Sequence, residues 1–473
     1  MAIAFGTDGW RGVISDDFTF ANAKIMAQAY ADYLKKGKAP GERVIVGYDS
    51  RFLSREYAHT VAQVLTANRI PVLITEKVTA TPVISYLIKH LSLQGGLVIT
   101  ASHNPPQYNG IKVKGWYGGS ATGEIMEEIR SCLYRTPVRD SGNNALMDYY
   151  QGDKLYIDHI KQFVDLSLIK SSGLKVLIDP MYGAGKGYLK SLLESFEIDV
   201  REIHATDNPG FGGINPEPVG KNLVELRRKV IEGKFSVGLA TDGDADRLGA
   251  VDEHGNNISA QQIFAIILWH WFSKSKNRGA VGKTFSTTKM IDKIAHKFGL
   301  GIYETPIGFK HLVTLFLQHK IVIGGEESGG IGINCHLPER DGLLNSLLLL
   351  EAMAYHQKTL GQLMEEIMEE IGTHHFLRRD LPLKGWDTTQ IMSFIKNYWM
   401  SKTLKNDNLL IEELDGFKVT FNSSRWLLFR PSGTEPVMRV YAEAESNEMV
   451  KRLLQMGIKL VQRAVTCDRI VPL

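Results

Sequence analysis

The sequence predicts an α/β fold: three similar α/β domains with mixed, largely parallel sheets, then a smaller C-terminal α+β domain, grouped around a central cleft. Three observations predict it. A strand–helix–strand unit recurs along the chain, and each such crossover implies parallel strands under helical layers. After each crossover a further strand runs into a polar, glycine-bearing loop, which is where open α/β sheets collect ligands. Roughly the last hundred residues read instead as a succession of short strands closed by a helix. At 473 residues the chain is too long for one core, and the expected division is 1–165, 166–272, 273–378 and 379–473.

The elements follow in order. Residues 21–35 read as an amphipathic helix, 43–48 as a strand with 49–51 as its exit loop, 56–68 as a helix and 70–74 as the next strand. The unit repeats as strand 175–179, a glycine-rich exit at 182–187, a helix to about residue 196 and strand 199–203. It repeats again as 280–285, 287–298 and 301–304. The three loop-bearing strands are 97–99, 237–240 and 321–323. Residues 263–272 and 347–350 are too short as apolar runs to span a bilayer and read as buried helices. In the C-terminal part, 373–383 reads as a connecting strand or linker, 387–399 as a helix, 417–422, 426–429 and 437–443 as strands, and 447 onward as a helix.

Composition narrows the function classes. Hydrophobic content of 44%, charged content of 23% and a formal charge of +3 describe an ordinary globular protein with no electrostatic case for nucleic acid. Cys132, Cys335 and Cys467 are odd in number and widely spaced, fitting neither a disulfide framework nor a metal site. Residues 1–11 lack the basic and apolar regions of a secretory signal, so a cytoplasmic protein without membrane partners is expected.

Four loops carry chemistry. In Thr100-Ala101-Ser102-His103-Asn104-Pro105, a β-prone run delivers Ser102 to the open end of a sheet, where a serine can act covalently or simply make a turn. Asp242-Gly243-Asp244-Ala245-Asp246-Arg247 turns three carboxylates toward one point, crowding that a cation relieves. Hard oxygen ligands suit Mg²⁺, and the spacing of a calcium loop is not met because strand-like residues follow at 248–251. Gly325-Glu326-Glu327-Ser328-Gly329-Gly330 offers acceptors for sugar hydroxyls, with His336, Arg340 and Asp341 downstream. Arg430-Pro431-Ser432-Gly433-Thr434-Glu435-Pro436 combines a guanidinium, hydroxyls and an open backbone into an anion cradle.

Smaller signals accompany them. Arg11 sits among Gly6, Gly9 and Gly12, in what reads as a loop that brings backbone and a forked donor to a ligand. Lys112 and Lys310 follow Gly110 and Gly308, glycines expected to break regular structure. Gly183, Gly185 and Gly187 match neither the dinucleotide fingerprint nor the P-loop.

Together and in this order, 100–105, 242–247, 325–330 and 430–436 resemble the four signature loops of the α-D-phosphohexomutase superfamily, the phosphoglucomutase and phosphomannomutase enzymes. The resemblance spans the chain from Gly6 onward. It implies that Ser102 carries the phosphoryl group, that Asp242, Asp244 and Asp246 hold Mg²⁺ with an oxygen on Ser102, and that Glu326 and Ser328, with Gly308 and Lys310, bind the sugar. It implies a phosphate site at Arg430, Ser432, Gly433 and Thr434, and assistance to phosphoryl and proton transfer from Arg11, His103, Lys112 and Arg247. The implied reaction interconverts glucose 1-phosphate and glucose 6-phosphate through glucose 1,6-bisphosphate, in a monomer or homodimer whose partner is a small phosphosugar.

Two positions depart from the broad-specificity and amino-sugar pattern, which has Met or Gln in the middle of the sugar loop and a histidine at its end. Here Glu327 and Gly330 stand there, a form similar to glucose-preferring members. His103, Lys112 and His336 are left as candidates for the general acid/base. The alternatives are a dual mannose/glucose mutase, a hexose 1,6-bisphosphate synthase, a metal-dependent phosphosugar phosphatase and a silent phosphosugar-binding protein.

Overall fold

The computed structural model describes residues 3, 5, 6, 8–274, 279–383, 385–403, 409–433 and 436–467. The chain forms two compact units, Met1–Gly282 with Gly308–Met364, and Lys283–Ile307 with Glu365–Leu473.

The first unit contains a six-stranded sheet in the order Gly9–Val13, Tyr108–Gly115, Gly95–Ile99, Val44–Tyr48, Val72–Thr75, Met147–Tyr150. The last four run parallel, and the first two are each antiparallel to the neighbour they join. Strands 44–48 and 95–99 are buried at every position, the signature of a sheet covered on both faces. Val44, Val46, Leu97 and Ile99 share a core with helices Phe20–Leu34 and Ser54–Ala67. On the opposite face Gly47 and Gly96 lie against Ile84 and Ile88 of helix Thr81–His90.

A second sheet has the order Asn257–Ile258, Leu248–Asp252, Val237–Thr241, Lys175–Asp179, Asp199–Glu202, the last three parallel. Helices Ala260–Lys274 and Gly342–His356 pack on it and are apolar almost all round, as buried helices are. The hairpin Ile323–Gly325 and Ile331–Ile333 completes the loop-bearing strands of this unit. Strand Ala280–Thr284 begins in the first unit and ends in the second.

The second unit is built on an antiparallel sheet in the order His375–Pro382, Val437–Ala444, Arg425–Pro431, Phe417–Asn422, Leu410–Glu412. Ile391, Ile395 and Trp399 of helix Thr388–Thr403, with Val450 and Leu460 of Asn447–Cys467, fill one face of it against Val419, Leu427 and Val440. Among the described residues no helix is long and apolar enough to cross a membrane.

The expected α/β architecture with an α+β end stands, with local corrections. Residues 9–13 form a strand rather than part of a loop, and Gly110 does not interrupt structure but lies inside strand Tyr108–Gly115. The reason is close backbone approach: a Cβ on Gly110 would sit 2.5 Å from the Trp10 carbonyl oxygen and 2.7 Å from that of Thr100. Gly308 does break structure, with φ of +125° at the N-cap of helix Phe309–Leu317. The helix expected from 287 starts at Met290, whose N–H is taken by the Thr288 hydroxyl. Strand 321–323 is displaced to Ile323–Gly325, the stretch 373–383 contains a fully paired strand His375–Pro382, and a three-residue edge strand Leu410–Glu412 is added. Short edge strands carry too little alternation to be read from sequence.

Gly110→Ala is therefore expected to lower the unfolding midpoint in urea by an amount equivalent to about 1–3 kcal/mol, the usual cost of overpacking. Gly123→Ala, with nothing within 4 Å of the added carbon, should be neutral or mildly stabilising. Equal effects at both positions would disprove the close-approach account.

Candidate active site

Ser102 leaves strand Gly95–Ile99 in the left-handed region, φ +53°, with its side chain buried. Such a conformation persists only where surroundings enforce it. The Ser102 N–H donates to Thr100 Oγ1 at 2.8 Å, and that hydroxyl donates to Asp49 Oδ2 at 2.6 Å. Arg51, paired with Asp49, donates to the carbonyls of Ser102, Asn104, Pro105 and Tyr108 at 2.6–2.9 Å. One buried guanidinium thus holds the whole loop. In the sequence 49–51 reads only as a strand exit, and the signal it carries is an aspartate and an arginine two residues apart at a parallel strand's carboxyl end.

The acidic loop leaves strand Val237–Thr241 next to it. Asp242 Oδ1 accepts the N–H groups of Asp246 and Arg247 at 3.0 and 3.1 Å, and Ala245 turns the loop at φ +63°. Asp242 Oδ2 accepts the Ser102 hydroxyl at 2.8 Å. A Cβ on Gly243 would lie 2.5 Å from the Ser102 carbonyl oxygen, so the two loops touch backbone to backbone.

All three aspartates are buried, and ligand atoms of the three lie within 4.8 Å of one another. Asp244 Oδ1 and Asp246 Oδ1 have no hydrogen-bond partner among the described residues. Lys112 Nζ bridges Asp244 and Asp246 at 2.5 and 2.6 Å, and Thr81 Oγ1 donates to Asp244 at 2.6 Å. Charge is distributed unevenly: burial, then Asp246 and Asp244, raise the Asp242 carboxyl well above its usual range. Asp246 is held well below its usual range because Arg340, Lys112 and Arg247 outweigh its burial. Unpartnered hard oxygens in a carboxylate surplus fit a divalent cation such as Mg²⁺.

Arg340 ties the remaining pieces together. Its guanidinium pairs with Asp8 at 2.7 Å, Asp246 at 3.1 Å, and Glu326 and Glu339 at 3.3 Å, and lies 5.2 Å over the Phe309 ring. Arg11 donates to Asn104 Oδ1 at 2.8 Å. Sequence reasoning named Arg340 only as an added donor; its central position follows from tertiary packing. Glu326 is buried and hairpin-held, its N–H on the Gly330 carbonyl at 3.0 Å, while Ser328 and Lys310 are half-buried.

The acid/base candidates separate. His336 is committed at both ring nitrogens, to Asp341 Oδ2 at 2.8 Å and to His159 at 3.0 Å. His103 is half-buried, its sheltered Nδ1 has no partner among the described residues, and desolvation, Arg247 and Arg11 keep it well below the usual imidazole range. In the second unit, Arg430 pairs with Asp415 at 2.9 Å and the Ser432 N–H reaches the Val437 carbonyl at 3.0 Å. Gly433 has nothing within 4 Å of a would-be Cβ, and Thr434 lies outside the described residues.

Comparison with known proteins matches the whole domain series. Residues 2–137, 154–255 and 259–371 match the phosphoglucomutase/phosphomannomutase α/β/α domains I, II and III, and 397–459 match the C-terminal domain of the same family. The chain belongs to the phosphoglucomutase/phosphomannomutase family. It is accordingly a phosphohexomutase, an isomerase that moves a phosphoryl group within its substrate.

Relatives of this mutase differ in sugar. A Thermococcus kodakarensis phosphoglucomutase/phosphomannomutase is 30% identical over 98% of this chain and 100% of its own length. Another protein of that organism, described provisionally as a phosphoglucosamine mutase, is 31% identical over the same shares. A solved structure from Thermus thermophilus, described provisionally as a phosphomannomutase, is 35% identical, covers 97% of this chain and 99% of its own, and superposes with a TM-score of 0.86.

In this mutase the Glu326 carboxyl is pushed up to about 7 by burial, against the opposing pull of Arg340. Between the ordinary carboxylate range and pH 7 the folded chain keeps a proton that the unfolded chain has released, so stability falls as pH rises through that window. Glu326→Gln should remove the share of that fall due to Glu326, matching the parent near pH 5 and exceeding it at pH 8 by on the order of 1–3 kcal/mol. Urea unfolding at both pH values checks this; an identical pH slope in the variant would sink it.

Proposed function

We propose that the enzyme is a Mg²⁺-dependent phosphoglucomutase, interconverting glucose 1-phosphate and glucose 6-phosphate through phospho-Ser102 and glucose 1,6-bisphosphate. The observation that carries this is Ser102 Oγ, 2.8 Å from Asp242 at the edge of three buried aspartates, two of which have an unpartnered oxygen. Glucose is favoured by the Glu326-Glu327-Ser328 loop and Gly330. The division 1–165, 166–272, 273–378 and 379–473 is part of the same reading.

In the forward direction the O6 hydroxyl of glucose 1-phosphate attacks the phosphorus of phospho-Ser102. The Oγ–P bond breaks, an O6–P bond forms, and the hydroxyl proton passes to a base. His103 is the base the geometry favours, since His336 is fully committed and Lys112 is bound by two aspartates. The bisphosphate, turned over, gives its 1-phosphoryl group back to Ser102 Oγ, O1 takes a proton, and glucose 6-phosphate leaves. Mg²⁺, held by Asp242, Asp244, Asp246 and an oxygen on Ser102, would neutralise phosphoryl charge when bound. Arg11, Lys112 and Arg247 add to that neutralisation. Glu326 and Ser328, with Gly308 and Lys310, would orient the sugar, and Arg430, Ser432, Gly433 and Thr434 would hold the non-reacting phosphate.

A dual mannose/glucose mutase is the second reading, favoured by relatives of near-equal identity that carry both names. Rates with glucose 1-phosphate and mannose 1-phosphate, with Mg²⁺ and catalytic glucose 1,6-bisphosphate, decide between them. Fast turnover of glucose alone supports the first reading, comparable rates the second, and phosphate release outrunning isomerisation would replace both with a phosphatase. Ser102→Ala should keep its fold and lose roughly 10³-fold or more in turnover.

Metal dependence has a readout apart from activity. Mg²⁺ at about 100 times its Kd should stabilise the enzyme by about 2.7 kcal/mol. Asp244→Asn should remove most of that gain, and a Tm equally responsive to Mg²⁺ in the variant would place the ion elsewhere.

A further inference from the structure

A cavity of about 830 Å³ lies within the first unit, among residues that take no part in the phosphosugar site. That volume is typical of small-molecule sites. Trp116, Tyr117, Trp271 and Phe316 supply an aromatic lining, and Lys89 and His319 add the charge and titratable nitrogen. Trp116 is 45% exposed although it meets Tyr117 edge-on at 5.6 Å. A tryptophan left this open offers stacking area that the fold itself does not use.

Lys89 gives the cavity its chemistry. It stands at the C-terminal end of helix Thr81–His90, exposed overall, with its ammonium donating to the His336 carbonyl at 3.0 Å in a partly buried hydrogen bond. An ammonium has three donors, and among the described residues no carboxylate pairs with this one. The described lining contains no carboxylate at all. A cation without a counter-charge at the rim of an aromatic cavity favours an anion.

We propose that this cavity binds a planar aromatic molecule carrying one anionic group, with its rings against Trp116 and Trp271 and its anion at Lys89. The Lys89 ammonium retains donors for a sulfonate, carboxylate or phosphate oxygen after serving the His336 carbonyl. Because no lining residue belongs to the phosphosugar site, a hexose bisphosphate and this ligand bind independently.

The test uses the full chain and 8-anilinonaphthalene-1-sulfonate, followed by energy transfer from tryptophan with excess glucose 1,6-bisphosphate present. One saturable equivalent is expected. Trp116→Ala should weaken it about tenfold or more, the loss expected when a stacking anchor is removed. Lys89→Met should also weaken it about tenfold, the worth of a charge-assisted contact, while leaving the uncharged N-phenyl-1-naphthylamine unaffected. Circular dichroism of each variant confirms the fold independently of activity. Absence of saturable binding, displacement by the bisphosphate, or unchanged affinity in both variants would overturn the proposal.

Discussion

The first unit depends on a buried charge cluster centred on Arg340. Its guanidinium faces Asp8, Asp246, Glu326 and Glu339, which arrive from four separate stretches of chain. Lys112 meets Asp244 and Asp246, and Lys114 meets Glu339 at 2.5 Å on its far side. Taking such charges out of water costs several kcal/mol per ion unless each is met, so no one loop can be built correctly without the others. Asp8, although buried, is held well below its usual range by Arg340, Lys112 and Arg11. Burial first, and the surplus of carboxylate second, push Glu326 and Asp242 toward the protonated form. That surplus is the electrostatic condition under which a cation and a phosphoryl group can share one site.

Backbone contact is the second constraint, and missing side chains permit it. Added carbons on Gly110, Gly243 and Gly342 would each meet a carbonyl oxygen at 2.5 Å, those of Trp10, Ser102 and Arg247 respectively. These contacts join the first strand to strand Tyr108–Gly115, the serine loop to the acidic loop, and the acidic loop to helix Gly342–His356. Asp341 fixes the start of that helix by accepting the N–H groups of Leu343 and Leu344, and Tyr156 and His336 hold its carboxylate in turn. His336 thus touches Asp341, the N-cap next to Arg340, through one nitrogen and His159 through the other.

Much of this was legible before the structure. Parallel strands with uninterrupted apolar runs, the glycine-bearing loops behind them and the spacing of Asp242, Asp244 and Asp246 are local properties of the sequence. What escaped was whatever depends on a distant partner. Gly110 looks like a breaker until Trp10 and Thr100 are placed beside it, and Arg51 looks like an exit-loop residue until its four carbonyl acceptors are seen. The strand at 9–13 escaped for the same reason, since it exists only by pairing with residues 108–112.

The end of the sugar loop shows how a local departure acquires a physical reason. The broad-specificity and amino-sugar pattern would put a histidine where Gly330 stands, and by sequence alone its absence looks like the loss of a functional group. In the structure a Cβ at 330 would lie 2.3 Å from Cδ and 2.7 Å from Cγ of Arg340. No side chain fits there while Arg340 keeps its four carboxylates. Gly330 and Arg340 are thus one feature in two parts: the glycine clears the space, and the arginine brings a permanent cation to Glu326 from the other side. A histidine at this position would be uncharged over much of the physiological range, whereas a guanidinium never is. Arg340 thus gives this end of the loop a fixed positive charge, while His103 Nδ1 stands without a hydrogen-bond partner among the described residues.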